Sequence, residues 1–135
     1  GIASQAVGVA QAALDEAVAY AGEREQFGKP IGDIGAIRQK VADMATQVEA
    51  SRLLCREAAR QADAGEDSRV MASMAKYFSS EAAVDVTNEA VQIHGGYGYM
   101  SEFDVERFYR DAKITTIYEG TSEIQKTIIA REYLD

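Results

Sequence analysis

The chain has 135 residues, 47% of them hydrophobic and 27% charged, with a net charge of −8 and a pI near 4.7. That length suits one domain with a true core, and the acid surplus argues against a nucleic-acid or anionic-membrane partner, whose phosphates attract Lys and Arg. A single cysteine, Cys55, excludes an intrachain disulfide and suits a reducing compartment, and no run approaches the ~18 apolar residues of a membrane span.

The chain enters a helical pattern at Gly1-Ile2-Ala3 with no initiator Met, which points to a piece of a longer protein. Ala3, Val7, Ala10, Leu14, Ala17 and Ala21 recur at three- and four-residue steps and predict a first helix over about residues 2–22. Gly28-Lys29-Pro30-Ile31-Gly32-Asp33 reads as a turn. Ile34, Ile37, Val41, Met44 and Val48, continuing through Cys55 and Ala62, predict a long second helix closed by Gly65 as the residue after its C-cap. Cys55, among Leu53, Leu54, Ala58 and Ala59, reads as a buried thiol and not a nucleophile. Asp67 or Ser68 caps a third helix with Met71, Met74, Phe78, Ala82, Val86, Ala90 and Ile93 on one face. Gly95-Gly96-Tyr97-Gly98 ends it. Ser101 with Asp104 opens a short fourth helix around Val105, Phe108 and Tyr109, and a last one runs from Ser122 through Ile124 and Ile128. Three long helices joined by short turns lie antiparallel, so the expected fold is all-α: an up-and-down four-helix bundle with a short extra helix, one domain over 1–135.

Chemistry concentrates at Ile117-Tyr118-Glu119-Gly120-Thr121-Ser122-Glu123-Ile124-Gln125. Ser122 as N-cap with Gln125 three residues on forms a capping box. Glu119 then stands just outside a helix N-terminus, beside unpaired N–H groups, and Gly120 admits another molecule close to the backbone. A carboxylate beside convergent donors suits removal of a proton next to a carbonyl; an acid that merely complements the helix dipole fits the same pattern. The stretch Gln92-Ile93-His94-Gly95-Gly96-Tyr97-Gly98-Tyr99 is either a helix end followed by a turn or a ligand loop. His94, the only histidine, has no companions for a metal site and reads as a polar helix-end residue. Arg24 serves equally as a helix C-terminal cation or as a phosphate ligand, and Glu106 with Arg110 suggests a surface pair.

Taken in order, Arg24-x-Gln26-Phe27-Gly28-Lys29-Pro30, Met74-Ala75-Lys76-Tyr77, Gln92 through Tyr99, Tyr109-Arg110-Asp111-Ala112-Lys113-Ile114 and Ile117 through Gln125 resemble the C-terminal helical domain of acyl-CoA dehydrogenases, across essentially the whole chain. The Gly1 to Gln5 opening is similar to short-chain and short-branched-chain members. The resemblance implies an FAD-dependent oxidoreductase whose other domains lie upstream, making this chain the C-terminal part of a longer flavoenzyme. It implies that Glu119 is the catalytic base, that its backbone N–H with a flavin hydroxyl polarises the thioester carbonyl, and that Gly120 contacts substrate. Thr121, Ser122 and Glu123 would touch FAD, while Arg24, Gln26, Phe27, Gln92, Ile93, His94, Gly95 and Gly96 would face the FAD of a neighbouring subunit. The partners implied are an acyl-CoA substrate, an electron-transfer flavoprotein and further copies of the chain in a dimer or tetramer. The implied location is the cytoplasm in a bacterium or the mitochondrial matrix in a eukaryote. An acyl-CoA oxidase shares the same base, and the isolated piece is expected to be a non-catalytic helical oligomerisation module. Where relatives often carry Gln, this chain has Gly35.

Overall fold

A computed structural model describes residues 1–135. It contains helices α1 (Ile2–Glu23), α2 (Gly35–Asp63), α3 (Arg69–His94), α4 (Val105–Ile114) and α5 (Ser122–Leu134). Two-residue strands β1 (Glu25–Gln26) and β2 (Lys29–Pro30) and two 3₁₀ turns, Ile31–Asp33 and Gly95–Tyr99, fill the first connection and the glycine-rich stretch. The all-α architecture agrees with the sequence. The hairpin is an addition: Phe27 (φ 55°) and Gly28 (φ 77°) both take left-handed backbone, the pairing that reverses a chain within two residues.

Helix α3 is the centre of the molecule, packing against α1, α2, α4 and α5. Its neighbours approach closely because α1 offers it alanines: Ala3, Ala6, Ala10, Ala13, Ala17 and Ala21 are all buried. Met44 and Val48 of α2, Val86 and Ala90 of α3, and Val105 and Ala112 of α4 complete the core. Short α4 therefore closes the hydrophobic cluster, whereas α5 contributes nothing to it and docks on α3 through Ser122 and Gln125.

Helix ends follow local chemistry, with revisions. Gly65 (φ 72°) terminates α2 as expected: its N–H donates to the Ala62 carbonyl and that of Glu66 to Gln61, the paired bonds of a Schellman end. At the start of α3, Ser68 holds the cap position while Asp67 Oδ1 accepts from the Arg69 N–H at 3.0 Å. Ser101 does not open α4. That helix begins after Asp104, whose carboxylate binds Arg107 at 3.0 Å, and this pair replaces the expected Glu106–Arg110 pair.

Two apolar faces are less covered than their periodicity suggests. Phe78 is exposed, because the first half of α3 turns Ser73, Ala75, Lys76, Ser79 and Ser80 inward instead. Beyond Ser51, α2 buries no further residue, and Cys55 is half-buried with Sγ 3.7 Å from Ser79 Oγ. That uncovered face of α2 becomes one wall of a groove.

Candidate active site

The Glu119 loop connects α4 to α5, and its shape is set from both ends. The buried Thr115 and Thr116 hydroxyls donate to the Ala112 and Lys113 carbonyls, closing α4 tightly. The capping of α5 differs from the capping box. Thr121 is the N-cap, its hydroxyl accepting weakly from the Ile124 N–H at 3.4 Å. Ser122 is the first helical residue, buried, and its hydroxyl donates to Glu81 of α3. Gln125 reaches back not to an N–H but to the carbonyls of Glu119 and Gly120, at 3.4 and 3.3 Å. Two adjacent hydroxyl residues competed for one cap, and a tertiary partner took Ser122.

Between these ends, Glu119 adopts φ 55° and Gly120 φ 92°. A left-handed non-glycine residue costs on the order of 1 kcal/mol or more and persists only where its surroundings over-determine it. Here they do. Ser80 Oγ donates to the Thr115 carbonyl at 2.9 Å, the Ser122 N–H to the Thr116 carbonyl at 3.0 Å, and Lys76 Nζ to the Gly120 carbonyl at 2.7 Å. Tyr118 adds a bond to Gln5 of α1 at 2.6 Å. A Cβ on Gly120 would lie 2.6 Å from Gln125 Nε2, so a side chain there would disturb the cap as well as strain the backbone.

The conformation leaves the N–H groups of Glu119, Gly120 and Thr121 with no acceptor in the chain. The Glu119 side chain is exposed and not buried, at the rim of a groove of about 370 Å³. The groove is walled by Ile2 and Ala3 of α1, the open face of α2 at Cys55, Ala58, Ala59 and Ala62, and Ala72 and Ala75 of α3. Small apolar side chains leave room there for a narrow aliphatic chain. Lys76 lines it too; burial pulls its ammonium below the ordinary lysine range, opposed by the nearby Glu81 and Glu119 carboxylates. No sequence pattern singled out Lys76, Ser80 or Glu81 for a role at this loop, because each acts on residues at least 35 positions away.

A second concavity, about 490 Å³, gathers residues from the end of α1, β1, the end of α3 and the glycine-rich turn: Arg24, Gln26, Ile93, His94, Gly95 and Gly96, over Tyr20, Tyr97 and Met100. Six of the eight residues expected to face a neighbour's cofactor thus line one groove. Phe27 stands apart at the hairpin tip, 91% exposed, and Gln92 is exposed on the last turn of α3 outside the lining. His94 is the last residue of α3, as expected of a polar helix-end residue, but its ring does not face solvent. It is buried, its ring stacked on Tyr20 at 4.2 Å and edge-on to Phe103, with Nδ1–H donating to the Ala90 carbonyl at 2.8 Å. The Arg24 guanidinium lies 5.6 Å above the Tyr97 ring, held beside the groove by cation–π attraction. Gly95 has φ 61° and ψ −139°, a region open essentially to glycine alone, and a Cβ on Gly98 would lie 2.6 Å from the Val91 carbonyl oxygen.

The remaining expected contacts lie at the start of α5. Ser122 has its hydroxyl turned inward, and Glu123 is exposed, its carboxyl held below the usual range by its own N–H and the Thr121 hydroxyl. The two grooves share no lining residue, so one copy does not bring Arg24 and Glu119 around a common cavity.

Comparisons with known proteins identify the family and the fold. The family model "Acyl-CoA dehydrogenase, C-terminal domain" matches residues 1–134. An acyl-CoA dehydrogenase of Bacillus subtilis is 54% identical over 134 residues, covering 99% of this chain and 35% of that protein. A subunit of the caffeyl-CoA reductase–Etf complex of Acetobacterium woodii is 54% identical over 130 residues, covering 96% and 34%. The solved structure of butyryl-CoA dehydrogenase from Megasphaera elsdenii superposes with a TM-score of 0.99 at 49% identity, over 100% of this chain and 35% of that one. The chain thus spans about a third of the length of these relatives. It belongs to the acyl-CoA dehydrogenase family, as the C-terminal domain.

Proposed function

We propose that this domain supplies the proton-abstracting base and part of the FAD site of an enzyme that interconverts acyl-CoA and α,β-unsaturated acyl-CoA thioesters. One observation carries the reading: an acid in left-handed backbone, beside three unpaired N–H groups, at the rim of a small apolar groove. The Glu119 carboxylate takes the proton from the carbon next to the thioester carbonyl. The electron pair of the broken C–H bond moves toward that carbonyl, and the Glu119 N–H stabilises the oxygen on which charge develops. Gly120 contacts the substrate in this reading, and its φ of 92° is one that a side chain would strain.

The second groove fits FAD in kind: a cation over an aromatic ring, beside backbone that only glycine can form, suits a planar, phosphate-bearing ligand. Arg24, Gln26, Gly95 and Gly96 would hold it, with Thr121 and Glu123 contributing at the start of α5. When bound, FAD supplies the acceptor for the β-hydride. Because the two grooves are separate, the groove around Arg24 serves the site of a neighbouring copy, and the enzyme is a homo-oligomer. By microscopic reversibility the same carboxyl returns the proton in the reductive direction, which the similarity to a reductase subunit supports. That similarity also supports an electron-transfer flavoprotein as redox partner; the location that goes with this reading is the bacterial cytoplasm or the mitochondrial matrix.

Glu119→Gln in the full-length flavoenzyme tests the base. The expected variant retains FAD, while anaerobic bleaching of the flavin by acyl-CoA slows by about 10²–10⁴-fold, the usual worth of a positioned base. Unimpaired bleaching would refute the assignment.

A further inference from the structure

Lys76 stands out on α3. Lysine is almost never fully buried unless paired, yet this one is 7% exposed and has no carboxylate within ion-pair distance. Its one hydrogen bond, 2.7 Å long, goes to a main-chain oxygen 44 residues away, that of Gly120. Ser80, one turn further along the same face, holds the Thr115 carbonyl, and Glu81 receives the Ser122 hydroxyl. The three anchors bracket the residues between Thr115 and Ser122, and Glu119 sits among them with its backbone in the left-handed region. Of the three, only Lys76 grips the residue next to Glu119, at the carbonyl of the Gly120–Thr121 peptide.

We infer that Lys76 is a positioning residue for the proton transfer: by holding the Gly120 carbonyl it fixes the Glu119–Gly120 pair in the conformation that keeps the Glu119 carboxyl beside unpaired N–H donors. The inference rests on Glu119 being the base. An apolar side chain of similar length would fill the same volume more cheaply, since a buried ammonium with no carboxylate in contact carries a desolvation cost that packing does not require. What the ammonium adds is a strong, directional donor to one carbonyl. Without it the Gly120 carbonyl keeps only the long contact from Gln125, and the strained pair loses its tightest restraint. The carboxyl and the donors then sample geometries in which they no longer act on one substrate together, and small misplacements of reacting groups are costly to rate.

The test uses the full-length flavoenzyme with FAD bound and three variants, Lys76→Met, Lys76→Arg and Glu119→Gln. The readouts are flavin bleaching at saturating acyl-CoA, affinity for a non-reacting acyl-CoA analogue, and exchange of the hydrogen-bonded loop amides of Ile117, Tyr118 and Ser122. Lys76→Met should bind the analogue within about threefold of wild type, yet bleach about 100-fold more slowly. Its loop amides should exchange at least about tenfold faster. Lys76→Arg, which keeps a charged donor, should recover bleaching to within about tenfold of wild type. Bleaching by Lys76→Met within about twofold of wild type overturns the inference. Should the Met variant fail to fold, Lys76→Gln, whose polar head stops short of the carbonyl, is judged by the same criteria. Normal bleaching by Glu119→Gln would instead remove the base assignment itself, whereas an inactive Glu119→Gln beside a normal Lys76→Met would sink only the role given to Lys76.

Discussion

The Glu119 loop and the Gly95 turn solve the same problem by different means. Each must hold backbone in an uncommon conformation at the edge of a groove. The Glu119 loop does so with polar bonds to α3 side chains: Lys76 donates to the Gly120 carbonyl, Ser80 to the Thr115 carbonyl, and Glu81 accepts from the Ser122 hydroxyl. The Gly95 turn relies on packing: the ring stack of Tyr20, His94 and Phe103 forms its floor, and Gly98 lies against Val91 with no space for a methyl group. Directional bonds fix where a carboxyl and its neighbouring donors stand relative to one another. Close packing fixes a surface, which is what a large planar ligand needs. The chemistry assigned to each region matches the way that region is built.

Substitutions put this contrast to the test. The largest stability effect is expected at the packed turn. Gly98→Ala forces a Cβ against backbone and should cost about 1–3 kcal/mol, read as a lowered Tm. Bleaching per bound flavin should be preserved, because the Glu119 loop is not touched; a stable variant with slowed bleaching would show that the two regions are not independent. Next comes Arg24→Ala, which leaves the fold intact but removes a charged donor from the groove. FAD retention should weaken about tenfold or more, the worth of one charge-assisted hydrogen bond, with little change in bleaching rate once FAD is saturating. The smallest effect belongs to Thr121→Ala. Its cap contact is long, 3.4 Å, so the loss should fall at or below about 1 kcal/mol by denaturant unfolding. A larger loss would mean that Thr121, and not the α3 anchors, holds the loop.

What the sequence revealed and what it hid follow the range of the forces involved. The α1 seam and the Gly65 helix end depend on residues within a few positions of each other, and both were legible. The left-handed backbone of Glu119 has no signature in residue spacing, because bonds from α3 impose it. Ser122 was misassigned as the cap because its partner, Glu81, is 41 residues away. Phe78 was misplaced because a helix packed by four others buries more than one stripe, and its inward polar residues answer to the loop and not to periodicity. His94 went inside for a similar reason: the ring needed aromatic company that only the fold assembles, while its one N–H found a carbonyl in its own helix. Lys76 lay within a segment already noted for its resemblance to relatives, yet its use of a distant main-chain oxygen has no signature in residue spacing.

The fate of the α-proton decides the role of Glu119. The direct measurement is deuterium uptake from D₂O at the α-carbon of an acyl-CoA thioester whose β-carbon has no hydrogen to lose, using the full-length enzyme with FAD bound. The wild type should incorporate deuterium readily, and Glu119→Gln should do so at least about 100-fold more slowly. Equal uptake in the two proteins would mean that another group removes the proton.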